Sequence, residues 1–239
     1  MNNFFTKIHS FVSPLSYSMI MAVDDRGGMG LRNSLPWKEV GVDNKSDMQW
    51  FREKTKGKII IMGYNTWVSI GRKPLPGRYN VIVTKEHHKE VQDDFAKWAD
   101  SYYKTEKGQR EPIHGTVTTG LEDAIKYLET TIGHHHRGGE VMVIGGAKMY
   151  ESMMPRTSRI YLTTFKGEFE ADAFVHLNLD KWDLVYRDAL SCLQPKFEIW
   201  DGTEEAAKLP DSEFIQISHG HKPAVGWVAE TVRSLKEDK

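Results

Sequence analysis

The sequence predicts an α/β fold, with a mostly parallel central sheet, an antiparallel C-terminal edge and helices on its flanks. Three features lead there. Short apolar runs recur at Ile59-Ile60-Ile61-Met62, Asn80 to Thr84 and Glu140 to Ile144, and such runs suit interior strands covered on both faces. Two of them end in glycine, at Gly63 and at Gly145-Gly146, and lead into helical segments. Strand, loop and helix therefore alternate, the order that builds a parallel sheet.

Taken in chain order, Tyr17 to Val23 reads as a buried strand that enters the glycine-rich loop Asp24 to Trp37. Ser46 to Thr55 reads as a helix, with Ser46 as N-cap, Asp47 in the first turn and Gly57 as the stop. The strand Ile59 to Met62 turns at Gly63 into Asn65-Thr66-Trp67. Strand Asn80 to Thr84 follows Pro74 to Arg78, and residues 86–115 read as a long polar surface excursion. Leu121 to Thr131 is expected to be helical, Glu140 to Ile144 a strand, Ala147 to Met153 a helix and Ile160 to Thr163 a strand. Two short strand candidates remain, Glu213 to Ser218 and Val225 to Val232. One of them closes the sheet as an antiparallel edge, and the sequence leaves the choice open.

The chain has 239 residues, enough for one large domain or one domain with an appendage. Its 32 lysines and arginines against 33 aspartates and glutamates leave a formal charge of −1, which argues against an electrostatic nucleic-acid binder. Hydrophobic residues make up 39%, an ordinary globular share once the 20 glycines are added. No apolar run approaches the roughly 18 residues of a membrane span. Met1 to Ser16 has no continuous signal core and reads as an extension. The single cysteine, Cys192, excludes an intrachain disulfide framework and a cysteine-rich zinc site. A reducing compartment, the cytoplasm, is therefore the expected location. The histidine runs His134-His135-His136 and His87-His88 read as solvated loops, and no metal site is expected.

Chemistry concentrates at three places. The Gly63 and Gly145-Gly146 turns each follow a buried strand and open a helix, so both would present free backbone N–H groups at the carboxyl edge of the sheet, where such folds bind phosphates and dinucleotides. Asp47 lies beside Met48, Trp50 and Phe51. The residues alone leave two readings open for it: an exposed carboxylate favoured by the helix dipole, or an inward one able to accept two parallel hydrogen bonds from the amidine-like edge of a heterocycle. Burial would raise its pKa.

Taken together and in order, Ala22-Val23-Asp24, Gly30 to Trp37, Asp47-Met48-Gln49-Trp50-Phe51, Ile61-Met62-Gly63, Thr66-Trp67, Pro74 to Arg78 and Val143 to Tyr150 resemble the dihydrofolate reductase family over residues 17 to 187. The resemblance implies three segments: an N-terminal extension (1–16), the reductase-like domain (17–189) and a divergent C-terminal region (190–239). It also implies hydride transfer from NADPH to C6 of dihydrofolate, with protonation at N5. In that reading Asp47 turns inward to grip the pterin's 2-amino group and N3, and Thr163 hydrogen-bonds the same carboxylate. Leu35 and Trp37 belong to the mobile loop over the nicotinamide. Ile20, Phe51, Ile70, Leu75 and Ile144 wall the substrate pocket, and Arg78 pairs with the α-carboxylate of the glutamate tail. Ala22, Gly30, Gly63, Thr66, Thr84, Lys85, Gly145, Gly146, Ala147, Lys148 and Tyr150 match cofactor-binding positions, and Gly145-Gly146 matches a cis bond.

The chain also departs from the family pattern. Tyr64 stands where an Arg or Lys usually faces the cofactor phosphates, and Ala147 replaces the third glycine. Both leave Lys85 and Lys148 to supply positive charge. Val40 to Lys45, 86–115 and 190–239 lengthen the chain. A monomer is the expectation, with the C-terminal region as the candidate surface for an oligomer or assembly contact. Two alternatives are a pyrimidine reductase of riboflavin synthesis, which would need neither the Asp47 helix nor Arg78, and a non-catalytic dinucleotide-binding descendant of the same fold.

Overall fold

The computed structural model describes residues 15–106, 113–132, 139–188, 195–203 and 215–219. Its central sheet, among the described residues, is eight-stranded and is built outward from β1 (Ser16–Asp24). On one side of β1 lie β6 (Glu140–Val143), β3 (Ile59–Gly63), β4 (Tyr79–Val83) and β5 (His114–Thr118), all parallel. On the other side β7 (Thr157–Phe165) is parallel to β1, and β10 (Lys196–Gly202) and β9 (Trp182–Arg187) close the sheet antiparallel. The parallel strands read as apolar runs because helices cover both faces. Ile59 to Met62 and Val141 to Val143 are buried almost completely.

The expected fold class is thus present, with the antiparallel edge in a different place. The first C-terminal strand candidate does not form it. β11 (Ile215–His219), which overlaps the first candidate, instead joins a small second sheet with β8 (Ala173–Leu177) and β2 (Gly28–Gly30). The second candidate, 225–232, lies outside the described residues, as do Cys192 and His134 to His136. The strand expected at Ile160 to Thr163 runs longer, over the whole of β7, because it is paired on both sides, by β1 and by β10.

The helices fit between strands. The short α1 (Pro36–Glu39) ends the first loop, and α2 (Lys45–Thr55) starts one residue before its expected N-cap. Asn44, not Ser46, flanks it, without a side-chain cap. α3 (Tyr64–Ser69) follows β3 directly. Between β5 and β6, α5 (Leu121–Tyr127) continues as a π turn through Ile132, and α6 (Ala147–Met153) opens after Gly145-Gly146 as expected.

The described parts of the 86–115 stretch, 86–106 and 113–115, are not a surface excursion. They contain α4 (His88–Tyr103), 16 residues long, and the start of edge strand β5. Val91, Phe95, Trp98 and Tyr102 recur at helical spacing, so a single apolar stripe settles an otherwise charged segment onto the sheet. Val91 is fully buried and Phe95 packs beside Trp67. His87 and His88 therefore belong to a helix start rather than to a solvated loop.

Candidate active site

Every parallel strand ends its run on the same edge of the sheet, and the candidate site lies there. α2 carries Asp47, Phe51 and Thr55 at four-residue intervals, which places them on one helical stripe facing the sheet. Asp47 is consequently only 6% exposed. Burial pushes its carboxyl pKa up to about 6, with the Thr163 hydroxyl opposing the rise. Thr163 sits on β7 and is 1% exposed. The inward reading of Asp47 is the one the fold adopts. Its charge also reaches the fully buried Tyr150, whose phenol is held protonated by burial first and by the Asp47 carboxylate second. The Tyr150 hydroxyl donates to the Ile20 carbonyl at 2.8 Å and ties α6 to β1.

Beside Asp47 lies an apolar wall. Ile20 and Ile144 are buried in one cluster with Ile60, Met62 and Trp67, and Phe51, Ile70 and Leu75 pack against it. All the expected wall residues therefore meet on one face. Arg78 is also there. Its guanidinium lies 5.8 Å from the Phe51 ring centre, donates from Nε to Thr55 Oγ1 at 2.8 Å and from Nη1 to the Pro76 carbonyl at 2.9 Å. Two positioning residues escape a sequence reading. Thr55 Oγ1 donates to the Phe51 carbonyl at 2.6 Å while accepting from Arg78. The fully buried Asn80 accepts from Leu75 N–H at 2.8 Å and returns bonds to the Leu75 and Arg78 carbonyls, fixing the loop that carries both.

The loop after β1 closes the other side. Trp37 is fully buried and stacks on Phe165 at 4.2 Å, with Phe169 edge-on at 6.3 Å. Its indole N–H has no protein acceptor among the described residues, which leaves a buried donor available to a ligand or water. Leu35 flanks α1 and is half-buried. The loop is clamped by acids that local sequence did not single out. Asp24, 2% exposed, accepts from the N–H groups of Arg26, Gly28 and Phe169. Asp172 accepts from Arg32 N–H at 2.8 Å and donates its own N–H to the Gly30 carbonyl at 2.8 Å. Their partners are up to 145 residues away in sequence, so no local pattern could reveal them. Ala22, half-buried on β1, lies on the same edge.

At the β3 and β6 ends, Gly63 N–H donates to the Gly145 carbonyl at 2.8 Å, and the Gly145-Gly146 bond is cis. Gly145 has φ +119°, and a Cβ there would stand 3.1 Å from Thr66 Oγ1 and 3.3 Å from the Tyr150 hydroxyl. Only glycine leaves this surface open for a close ligand. Ala147 is buried and Lys148 is exposed beside it. At the β4 end, Thr84 is buried and its hydroxyl accepts from His87 N–H at 3.2 Å, whereas Lys85 is exposed. Thr84 thus shapes the turn, and Lys85 is the member of the pair with its cation in solvent.

Comparison with known proteins places the chain in a family. The sequence model of the dihydrofolate reductase family matches residues 16–114 and 105–195. Among curated proteins, dihydrofolate reductase of Bacillus subtilis is 33% identical over 169 residues, covering 70% of this chain and 80% of that protein. The Haemophilus influenzae dihydrofolate reductase is 28% identical over 173 residues, covering 72% and 86%. The solved dihydrofolate reductase from Enterococcus faecalis, complexed with NADP(H) and RAB-propyl, superposes with a TM-score of 0.55 at 20% identity, covering 80% of this chain and 98% of that one. At that identity the superposition speaks for the fold, while the family model and the curated relatives speak for descent. A family model that matches most of the chain, and a relative 33% identical over 70% of it, settle the descent: the chain belongs to the dihydrofolate reductase family of enzymes.

Proposed function

We propose that the protein reduces 7,8-dihydrofolate to tetrahydrofolate with NADPH, supplying one-carbon and thymidylate metabolism. The observation that carries this reading is Asp47, an isolated carboxyl buried in an apolar pocket with a pKa of about 6 and a threonine hydroxyl at its side. Ionised, such a group accepts a pair of N–H donors from a pterin's 2-amino group and N3, and with a pKa of about 6 it exchanges a proton closer to neutral pH than an ordinary carboxyl does. The walls of Ile20, Phe51, Ile70, Leu75 and Ile144 suit a flat heterocycle followed by an aromatic ring, and Arg78 suits the α-carboxylate beyond it.

The cofactor fits the residues present. The space above Gly145, which a Cβ would fill against Thr66 and Tyr150, admits a pyrophosphate or nicotinamide close to the backbone. Gly63, Thr66, Gly146, Ala147 and Lys148 would hold it, with Ala22, Gly30 and Ile144 toward the nicotinamide and Thr84 and Lys85 toward the adenosine. When bound, NADPH supplies the hydride. The chain supplies the rest. Asp47 orients the pterin and promotes protonation at N5. Thr163 fixes the carboxylate. Trp37, with its unpartnered indole N–H, orders the approach to the pterin, and the loop through Leu35 excludes water while the site is closed. Residues 17–189 with β10 form the catalytic unit in this reading, since β10 pairs along β7, the strand of Thr163.

The test is the loss of reduced-nicotinamide absorbance with purified full-length protein and dihydrofolate, with the folate product identified by chromatography. Turnover to tetrahydrofolate is expected. A folded protein that binds the cofactor without turnover would overturn the reading in favour of a non-catalytic descendant.

A further inference from the structure

One charged cluster on the site edge is not used by the chemistry above. Tyr64 opens α3 directly after β3, and His87 precedes α4 just past β4. Their rings stack at 3.9 Å and 10°. The Tyr64 hydroxyl accepts from Arg72 Nη2 at 3.1 Å and donates to Glu90 at 3.3 Å. Glu90 also pairs with Arg72 Nη1 and lies 2.9 Å from His87 Nδ1, while Asp94 holds Arg72 Nη1 at 3.0 Å. One guanidinium therefore faces two carboxylates, and the hydroxyl of Tyr64 is committed on both sides.

The strand order fixes what this cluster faces. From β7, which carries Thr163, the sheet runs through β1, β6 and β3 to β4. Those four intervals, at about 4.8 Å each, span about 19 Å. A dinucleotide whose reactive ring meets a substrate held by Asp47, and which crosses the Gly145-Gly146 turn, has its other nucleoside over the β3 and β4 ends. There an acid suits a free 2′-hydroxyl and a cation suits a 2′-phosphate.

Resting on the proposed function, we infer that Glu90, supported by Asp94, is a specificity-determining residue for the cofactor: by engaging Arg72 and the Tyr64 hydroxyl, it withholds from a 2′-phosphate the guanidinium that stands beside Tyr64. Among the described residues at expected cofactor positions, Lys85 and Lys148 then carry the phosphate-bearing cofactor, and the preference for NADPH over NADH is narrow. The cluster is half-exposed, so the effect is moderate and salt-sensitive.

The test is equilibrium titration of the full-length protein with NADPH and with NADH, read by quenching of tryptophan fluorescence, for the parent, Glu90→Gln and Tyr64→Arg. Glu90→Gln is expected to tighten NADPH by about fivefold and to leave NADH within about twofold. Tyr64→Arg, which adds a cation at the same place, is expected to act in the same direction. Equal tightening of both cofactors, or no change, overturns the inference. Weaker NADPH binding in Glu90→Gln also overturns it, because Glu90 would then be aiming Arg72 at the phosphate. A parent protein that binds neither dinucleotide overturns the proposed function as well, which separates the two failures.

Discussion

Asp47→Asn is expected to lower turnover at neutral pH by roughly 10²- to 10⁴-fold, the range that a positioned proton-transfer group supplies. Cofactor affinity should stay near the parent value, since the cofactor residues lie on other elements. The amide keeps the volume of the carboxylate and can still accept one hydrogen bond, but it offers no proton near neutral pH. The same substitution should stabilise the empty protein. The folded-state pKa of about 6 stands above the ordinary 3.8, so the folded protein binds the Asp47 proton more tightly than the unfolded chain does. Stability is then undiminished below about pH 4, falls as pH rises toward 6, and above 6 is lower by as much as about 3 kcal/mol. Asp47→Asn removes that loss. Thermal denaturation at pH 7.5 should show the variant melting above the parent, and at pH 4 the two should converge. A variant with turnover within a few-fold of the parent would remove Asp47 from the proposed role.

Arg78→Leu is expected to raise the KM for dihydrofolate by roughly 10²-fold, the scale for deleting one partner of a desolvated charge pair. The KM for NADPH should remain within about twofold. Because the Arg78 guanidinium also bonds Thr55 and the Pro76 carbonyl, the variant is expected to lose about 1–3 kcal/mol of stability, measurable in urea. A substrate lacking the glutamate tail separates the two effects. Its KM should be the same for parent and variant if Arg78 acts on the tail carboxylate, and should rise in the variant if the loss is a collapsed pocket.

The sequence made the sheet legible because its parallel strands are buried on both faces and so appear as uninterrupted apolar runs. It hid α4, whose stripe of Val91, Phe95, Trp98 and Tyr102 is diluted by charges that face solvent. β9 is obscured for a related reason. As an edge strand it exposes Leu184, Val185 and Tyr186 as well as Asp183, so neither alternation nor an apolar run marks it. Asp47 could be named from its neighbours, but its burial depends on α2 lying against β7, a contact that residue types alone do not specify. Asp24, Asp172, Asn80 and Thr55 were not legible as site residues, because each acts through a group brought near only by the fold: a backbone group for the first three, the Arg78 guanidinium for Thr55. The departure at Tyr64 was visible as a missing cation. That Arg72 comes back to that position already paired with Glu90 and Asp94 is information only the fold contains.

The proton on Asp47 is tested most directly by the pH dependence of the first turnover, followed as nicotinamide oxidation after rapid mixing of the NADPH-loaded protein with dihydrofolate. A carboxyl that titrates near 6 predicts a plateau at lower pH and a fall of about tenfold per pH unit above it, with the inflexion absent in Asp47→Asn. A profile that stays flat across pH 5 to 8 in the parent, or that keeps its inflexion in the variant, would contradict the assignment of Asp47 as the group that governs protonation.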